Sequence, residues 1–127
     1  MGKKKRIEVS EYELSVLGCL WHRGEATIRE IADDVYGHPA DAVQYATAQK
    51  LLERLEAKKC VRRDRRSHKH LFKALVAREE LIDNSLDSLA SKLCAGSLNT
   101  LFLRLAGKVK LTGEERDEIR RMIDDAD

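Results

Sequence analysis

Four residue pairs, each spaced three apart, constrain this chain more than any other feature: Ser10 with Glu13, Thr27 with Glu30, Asp41 with Gln44, and Thr112 with Glu115. In such a pair the Ser, Thr or Asp side chain accepts from the amide three residues on. The Glu or Gln side chain reaches back to the first residue's amide. Each pair stands before an apolar pattern of helical period, so each marks a helix start. The first helix is expected from about Glu11 to His22, with Leu14, Leu17 and Trp21 on one face and Gly24 as its stop. The second runs from Ile28 to Tyr36, with Ile28, Ile31, Ala32 and Val35 inward, and Gly37-His38-Pro39 breaks it. The third runs from Ala42 to Lys59, with Ala48, Leu51, Leu52 and Leu55 inward.

A different texture follows. Cys60-Val61-Arg62-Arg63 and Leu71 to Val76 flank a polar stretch, Asp64 to His70, which reads as a two-stranded hairpin. Helical periodicity then resumes over Arg78 to Cys94, Leu98 to Ala106 and Gly113 to Asp125. The expected class is mainly α: a winged helix-turn-helix of three helices and a small β-hairpin wing, then a three-helix C-terminal region. The expected division is 1–76 for the head, with its basic N-terminal arm, and 77–127 for the tail.

Charge is unevenly spread. Residues 1–76 hold 16 Lys and Arg against 11 Asp and Glu, a net of +5; residues 77–127 hold 8 against 11, a net of −3. Eight basic residues fall within 58–73 with one acid, Asp64. A basic head and an acidic tail fit a binding module with a solvated appendage. No apolar run reaches the roughly 18–20 residues of a membrane span. Met1 to Arg6 reads as a basic arm rather than a secretory leader, because no apolar stretch follows it. Cys19, Cys60 and Cys94 are odd in number and far apart, so no disulfide framework is expected. Cys19 and Cys94 read as small core residues of a reducing compartment, which places the chain in the cytoplasm.

Three helices and then a basic hairpin is the element order of a DNA reader. The third helix lies in the major groove and the hairpin reaches the neighbouring backbone. The third helix carries Gln44, Tyr45, Thr47, Gln49 and Lys50 towards base edges, with Arg54 placed for phosphate. Arg65, Arg66, His68, Lys69 and His70 form the expected wing tip. The same order also fits a winged-helix module that binds protein and not DNA. A ligand- or redox-responsive regulator, with Cys60 as its reactive group among Lys58, Lys59, Arg62 and Arg63, is a further alternative.

Tyr45 to Lys59 (YATAQKLLERLEAKK) resembles the recognition helix of the BlaI/MecI penicillinase-repressor family. Glu11 to Leu17 leading to Leu20-Trp21 and Gly24, and Thr27 to Ile31, are similar to the same family. So are Leu75 to Glu80, Gly96-Ser97-Leu98 and Leu111 to Glu115. The resemblance implies a homodimeric repressor on an inverted-repeat operator, reading bases at Thr47 and Gln49 and backbone at Arg54. Ala46 and Gln49 depart from the Ser and Lys common in the family at those places. Arg104-Leu105 stands where the penicillinase repressors carry an Asn-Phe bond cut during induction, so induction by that cleavage is not expected. The copper-responsive relatives carry paired cysteines near the C-terminus; only Cys94 lies there in this chain, so copper sensing of that kind is not expected.

The tail leucines need a partner. Leu81, Leu86, Leu89, Leu93, Leu98, Leu101, Phe102, Leu105, Ile119, Met122 and Ile123 are too many for three short helices to bury alone, and a second copy is the expected cover. The partners expected are therefore operator DNA with dyad symmetry and the chain itself, with no membrane. His68-x-His70 lacks a nearby acid or thiol at ligand spacing and sits among cations, so no metal is expected. No phosphate loop, nucleophile elbow or metalloprotease helix occurs, so neither a cofactor nor an enzyme is expected.

Overall fold

The computed structural model describes residues 7–66 and 68–126; the basic stretch at 1–6, Ser67 and Asp127 lie outside the described residues. Six helices and one hairpin follow in the order α1 (Glu11–Arg23), α2 (Ile28–Tyr36), α3 (Ala42–Ala57), β1 (Val61–Asp64), β2 (Leu71–Ala74), α4 (Arg78–Leu93), α5 (Leu98–Ala106) and α6 (Gly113–Asp125). This is a winged helix-turn-helix followed by C-terminal helices. Two compact units divide the chain, the first ending at Ser85 and the second beginning at Leu86. The first two turns of α4 thus belong to the N-terminal unit, beyond the 76/77 division expected from sequence.

All four capping boxes are closed. Ser10, Thr27, Asp41 and Thr112 each accept from the amide three residues on, and Glu13, Glu30, Gln44 and Glu115 each take the cap residue's amide. α1 ends on Gly24 at φ 85°, where a side chain would be strained. α3 ends without a glycine. Lys59 takes φ 62° and the Cys60 amide donates to the Leu55 carbonyl at 2.8 Å. The helix therefore closes two residues before the expected Lys59.

In the first unit, α1, α2 and α3 pack around Val16, Leu17, Leu20, Ile31, Leu52 and Leu55, and the hairpin adds Cys60, Val61 and Phe72. The strands are antiparallel, with Val61 opposite Ala74 and Asp64 opposite Leu71. Ala26 pairs with Phe72 through two backbone hydrogen bonds, which ties the wing to the turn before α2. Trp21 Nε1 donates to the Val76 carbonyl at 2.8 Å, fixing the exit from the wing. Leu81 joins this core. Its burial against the head corrects the expectation that it lies at a subunit interface.

The inward stripe of α1 also differs from expectation. Leu14 is exposed, and the buried positions are Glu13, Val16, Leu17, Cys19 and Leu20, all but Cys19 spaced i, i+3, i+4 and i+7. The first of these is a carboxylate. Glu13 takes the Ser10 amide at 2.9 Å and the Lys58 ammonium at 2.8 and 2.9 Å, and Lys58 also donates to the Glu8 carbonyl at 2.7 Å. Burial pushes the Glu13 carboxyl up, but Lys58 and the Ser10 donors outweigh it and hold it below its ordinary value. A lowered carboxyl stabilises the fold above its unfolded pKa, about 4.3, and loses that contribution as pH falls through the folded value. Lys58→Met leaves Glu13 buried without its cation. Because Lys58 is partly solvated, the expected loss is about 2 kcal/mol at pH 7, below the cost of breaking a fully buried pair. In urea denaturation the gap to wild type is expected to narrow below about pH 4. An equal gap at both pH values would mean that Lys58 acts by packing.

In the second unit, the end of α4 is closed by the Gly96 amide donating to the Ala90 carbonyl at 2.9 Å, with Gly96 at φ 83°. The Ser97 side chain then caps α5. Ala90 alone is buried among this unit's described residues, and neither α5 nor α6 buries any. Cys94, expected in a core, is half-buried.

Candidate nucleic-acid interface

The angle between α2 and α3 is set by small residues and one polar brace. Ala32, Ala40 and Ala48 are buried against one another, which lets the two helices approach closely. Asp33 accepts the Ala40 amide at 2.9 Å, and Arg29 donates to the Ala40 carbonyl at 3.0 Å. The Arg29 guanidinium also lies 4.7 Å from the centre of the Tyr45 ring. These contacts hold the first turn of α3 against α2.

The expected base-reading residues divide on α3. Thr47, Gln49, Lys50 and Arg54 are exposed. The Thr47 hydroxyl donates to the Val43 carbonyl at 2.9 Å, leaving an oxygen lone pair and a methyl to offer a ligand. Gln44 and Tyr45 are half-buried. The Gln44 side-chain oxygen takes the Asp41 amide at 3.0 Å, so it serves the helix cap. Tyr45 lies under Arg29. Val43, which sequence reasoning passes over, is 75% exposed in the first turn.

The wing sorts its cations in a similar way. Arg63 is drawn inward: it lies 4.9 Å from the Phe72 ring centre and donates to Glu56 at 2.8 Å, joining the wing to the last turns of α3. Its Nε is buried without a partner among the described residues. Arg66 is exposed but paired, donating to Asp64 from both its backbone and its guanidinium. That pairing holds the Asp64 carboxyl well below the usual range. Lys58 is committed to Glu13, and Lys73 lies 3.7 Å from Glu25. Among the described residues, Lys58, Arg63, Arg66 and Lys73 of the basic run thus each face an acid. Lys59, Arg62, Arg65, His68 and Lys69 are exposed.

A cleft of about 650 Å³ lies between the first turn of α2, Tyr45 and the wing tip, lined by Arg29, His68, Lys69 and His70 among others. Its one carboxylate, Glu30, accepts from the Thr27 amide and from Arg23. The Thr27 amide, outweighing burial, leads the contacts that hold Glu30 below its ordinary value. Against that carboxylate the lining carries Arg29 and Lys69, so it is net cationic.

Cys19 and Cys60 are poorly placed for chemistry. Burial, reinforced by Asp34 at 3.1 Å, pushes the Cys19 thiol up to about 12. Burial likewise raises Cys60, against a smaller opposing effect of Lys58. A buried, protonated thiol is a poor nucleophile, which removes the reactive group from the redox alternative.

The description of the penicillinase repressor family matches residues 9–125. The chain belongs to the penicillinase repressor family. A penicillinase repressor of Staphylococcus aureus is 22% identical over 121 residues, covering 95% of this chain and 94% of that one. The match spans both units, so the tail belongs to the family pattern as the head does. Members of the family are transcriptional repressors. No helix among the described residues is long and apolar enough to cross a membrane.

Proposed function

We propose that this family member is a homodimeric, sequence-specific repressor acting in the cytoplasm on an operator with dyad symmetry. In this reading α3 enters the major groove and reads bases with Thr47, Gln49 and Lys50, while Arg54 contacts backbone. The wing places Arg65, His68 and Lys69 along the flanking phosphates, with Arg66 contributing less because Asp64 holds it. Gln44 and Tyr45 position the helix. The second unit, through Leu86, Leu89, Leu93, Leu98, Leu101, Phe102, Leu105, Ile119, Met122 and Ile123, pairs with its copy. The observation that carries the reading is the exposed face of α3 beside a braced, cationic wing.

The test is selection of the full-length protein on a random duplex pool, followed by affinity against salt. Enrichment of an inverted repeat is expected, with log affinity falling linearly against log salt. Folded protein that enriches nothing and shows no salt-sensitive binding would favour the protein-interaction module instead.

A further inference from the structure

The first turns of α3 hold an apolar feature that folding does not explain. Ala42, Val43, Ala46 and Thr47 are all exposed, and Val43 is open to 75%. A β-branched residue gains nothing from helix propensity there, and at this exposure it gains little from burial. The polar groups alongside it are partly engaged within the helix. The Gln44 oxygen serves the cap, the Thr47 hydroxyl is bonded to the Val43 carbonyl, and Tyr45 lies under Arg29. What these turns present outward is a set of methyl groups. Residues 43, 47, 50 and 54 follow helical spacing, so one stripe is apolar at its N-terminal end and cationic at Lys50 and Arg54.

A ligand that matches this stripe has methyl groups flanked by negative charge. The major groove of DNA is such a surface: thymine is the base that places a methyl there, and phosphates border it. Resting on the repressor reading, we propose that Val43, with the Ala46 and Thr47 methyls, is a specificity-determining residue that reads thymine 5-methyl groups in each half-site. The polar readers Gln49 and Lys50 then act on neighbouring base pairs.

The test uses the full-length protein and its selected operator, with each thymine replaced singly by deoxyuridine, which removes the methyl and nothing else. Burial of one methyl corresponds to about a three- to fivefold change in Kd, and this loss is expected at one or two thymines per half-site. Val43→Ala is expected to lose a similar factor on thymine DNA and to become indifferent to deoxyuridine at those positions. Deoxyuridine tolerated throughout the half-site by the wild type overturns the proposal, and that measurement needs no variant. Undiminished deoxyuridine sensitivity in Val43→Ala overturns it as well. If no operator is enriched, the repressor reading beneath it fails instead.

Discussion

Arg65→Glu is expected to weaken operator binding by about 100-fold while leaving the dimer and the fold intact. The magnitude follows from the wing's geometry. Arg65 is exposed and pairs with no acid among the described residues. A charge-assisted phosphate contact at a solvated site, together with the repulsion of the new carboxylate, amounts to about 1.4 kcal/mol, or tenfold. A dimer makes the contact twice. Without these two phosphate partners, the slope of log affinity against log salt also falls by about 2. Arg66→Glu is expected to cost less, because Asp64 already engages that guanidinium at 2.8 Å in the free protein. Electrophoretic mobility shifts across a salt series measure both effects. Equal losses from the two substitutions would mean that the Arg66–Asp64 pair opens on binding. No loss from either, with native circular dichroism, would move the protein to the interaction-module class.

The ordering of Arg65 above Arg66 shows where sequence reasoning runs short. The basic run is visible, but among the described residues Lys58, Arg63 and Lys73 face acids that lie outside the run, at Glu13, Glu56 and Glu25. Pairing across tertiary contacts has no local signature. Capping boxes do, since both partners lie within four residues, and all four are legible. The end of α3 is not, because Lys59 takes the left-handed conformation where the usual signal is glycine. The α1 face is misjudged because a stripe drawn through Leu14, Leu17 and Trp21 assumes that apolar residues point inward. Glu13 lies inward as well, held there by Lys58 from the far end of α3 and by the Ser10 amide. Leu81 looks like the first residue of a tail stripe, yet its half of α4 packs on the head. Thr47, Gln49, Lys50 and Arg54 are exposed, as their helical positions imply. Val43 escapes notice because its side chain is apolar, while the base readers expected on this helix are mostly polar.

The second prediction concerns the tail. Phe102→Glu with Leu105→Glu is expected to make the protein monomeric and to lower affinity for a two-half-site operator by about 10²–10⁴, the advantage that linking two heads confers. The reason lies within the second unit. Leu98, Leu101, Phe102 and Leu105 form an i, i+3, i+4, i+7 stripe, yet α5 buries none of its residues, and Phe102 and Leu105 are each 50% exposed. Leu93, Met122 and Ile123 are exposed as well. Units of about 40 residues are hard to stabilise without a core or an association partner. The family match runs through residue 125, so this segment is part of the shared design, and a second copy is the cover that symmetry makes available. Glutamate at two central positions of the stripe keeps helix propensity and places charge where desolvation would be needed. Sedimentation equilibrium should then show a monomer at concentrations where the wild type is dimeric, and affinity for a single half-site should be unchanged. A wild type that is itself monomeric at micromolar concentration, or a variant that stays dimeric, would mean that something other than this stripe covers the tail. Loss at the single half-site as well would show that the tail also supports the head, because a residue acting only through dimerisation has no means of altering one head on one half-site.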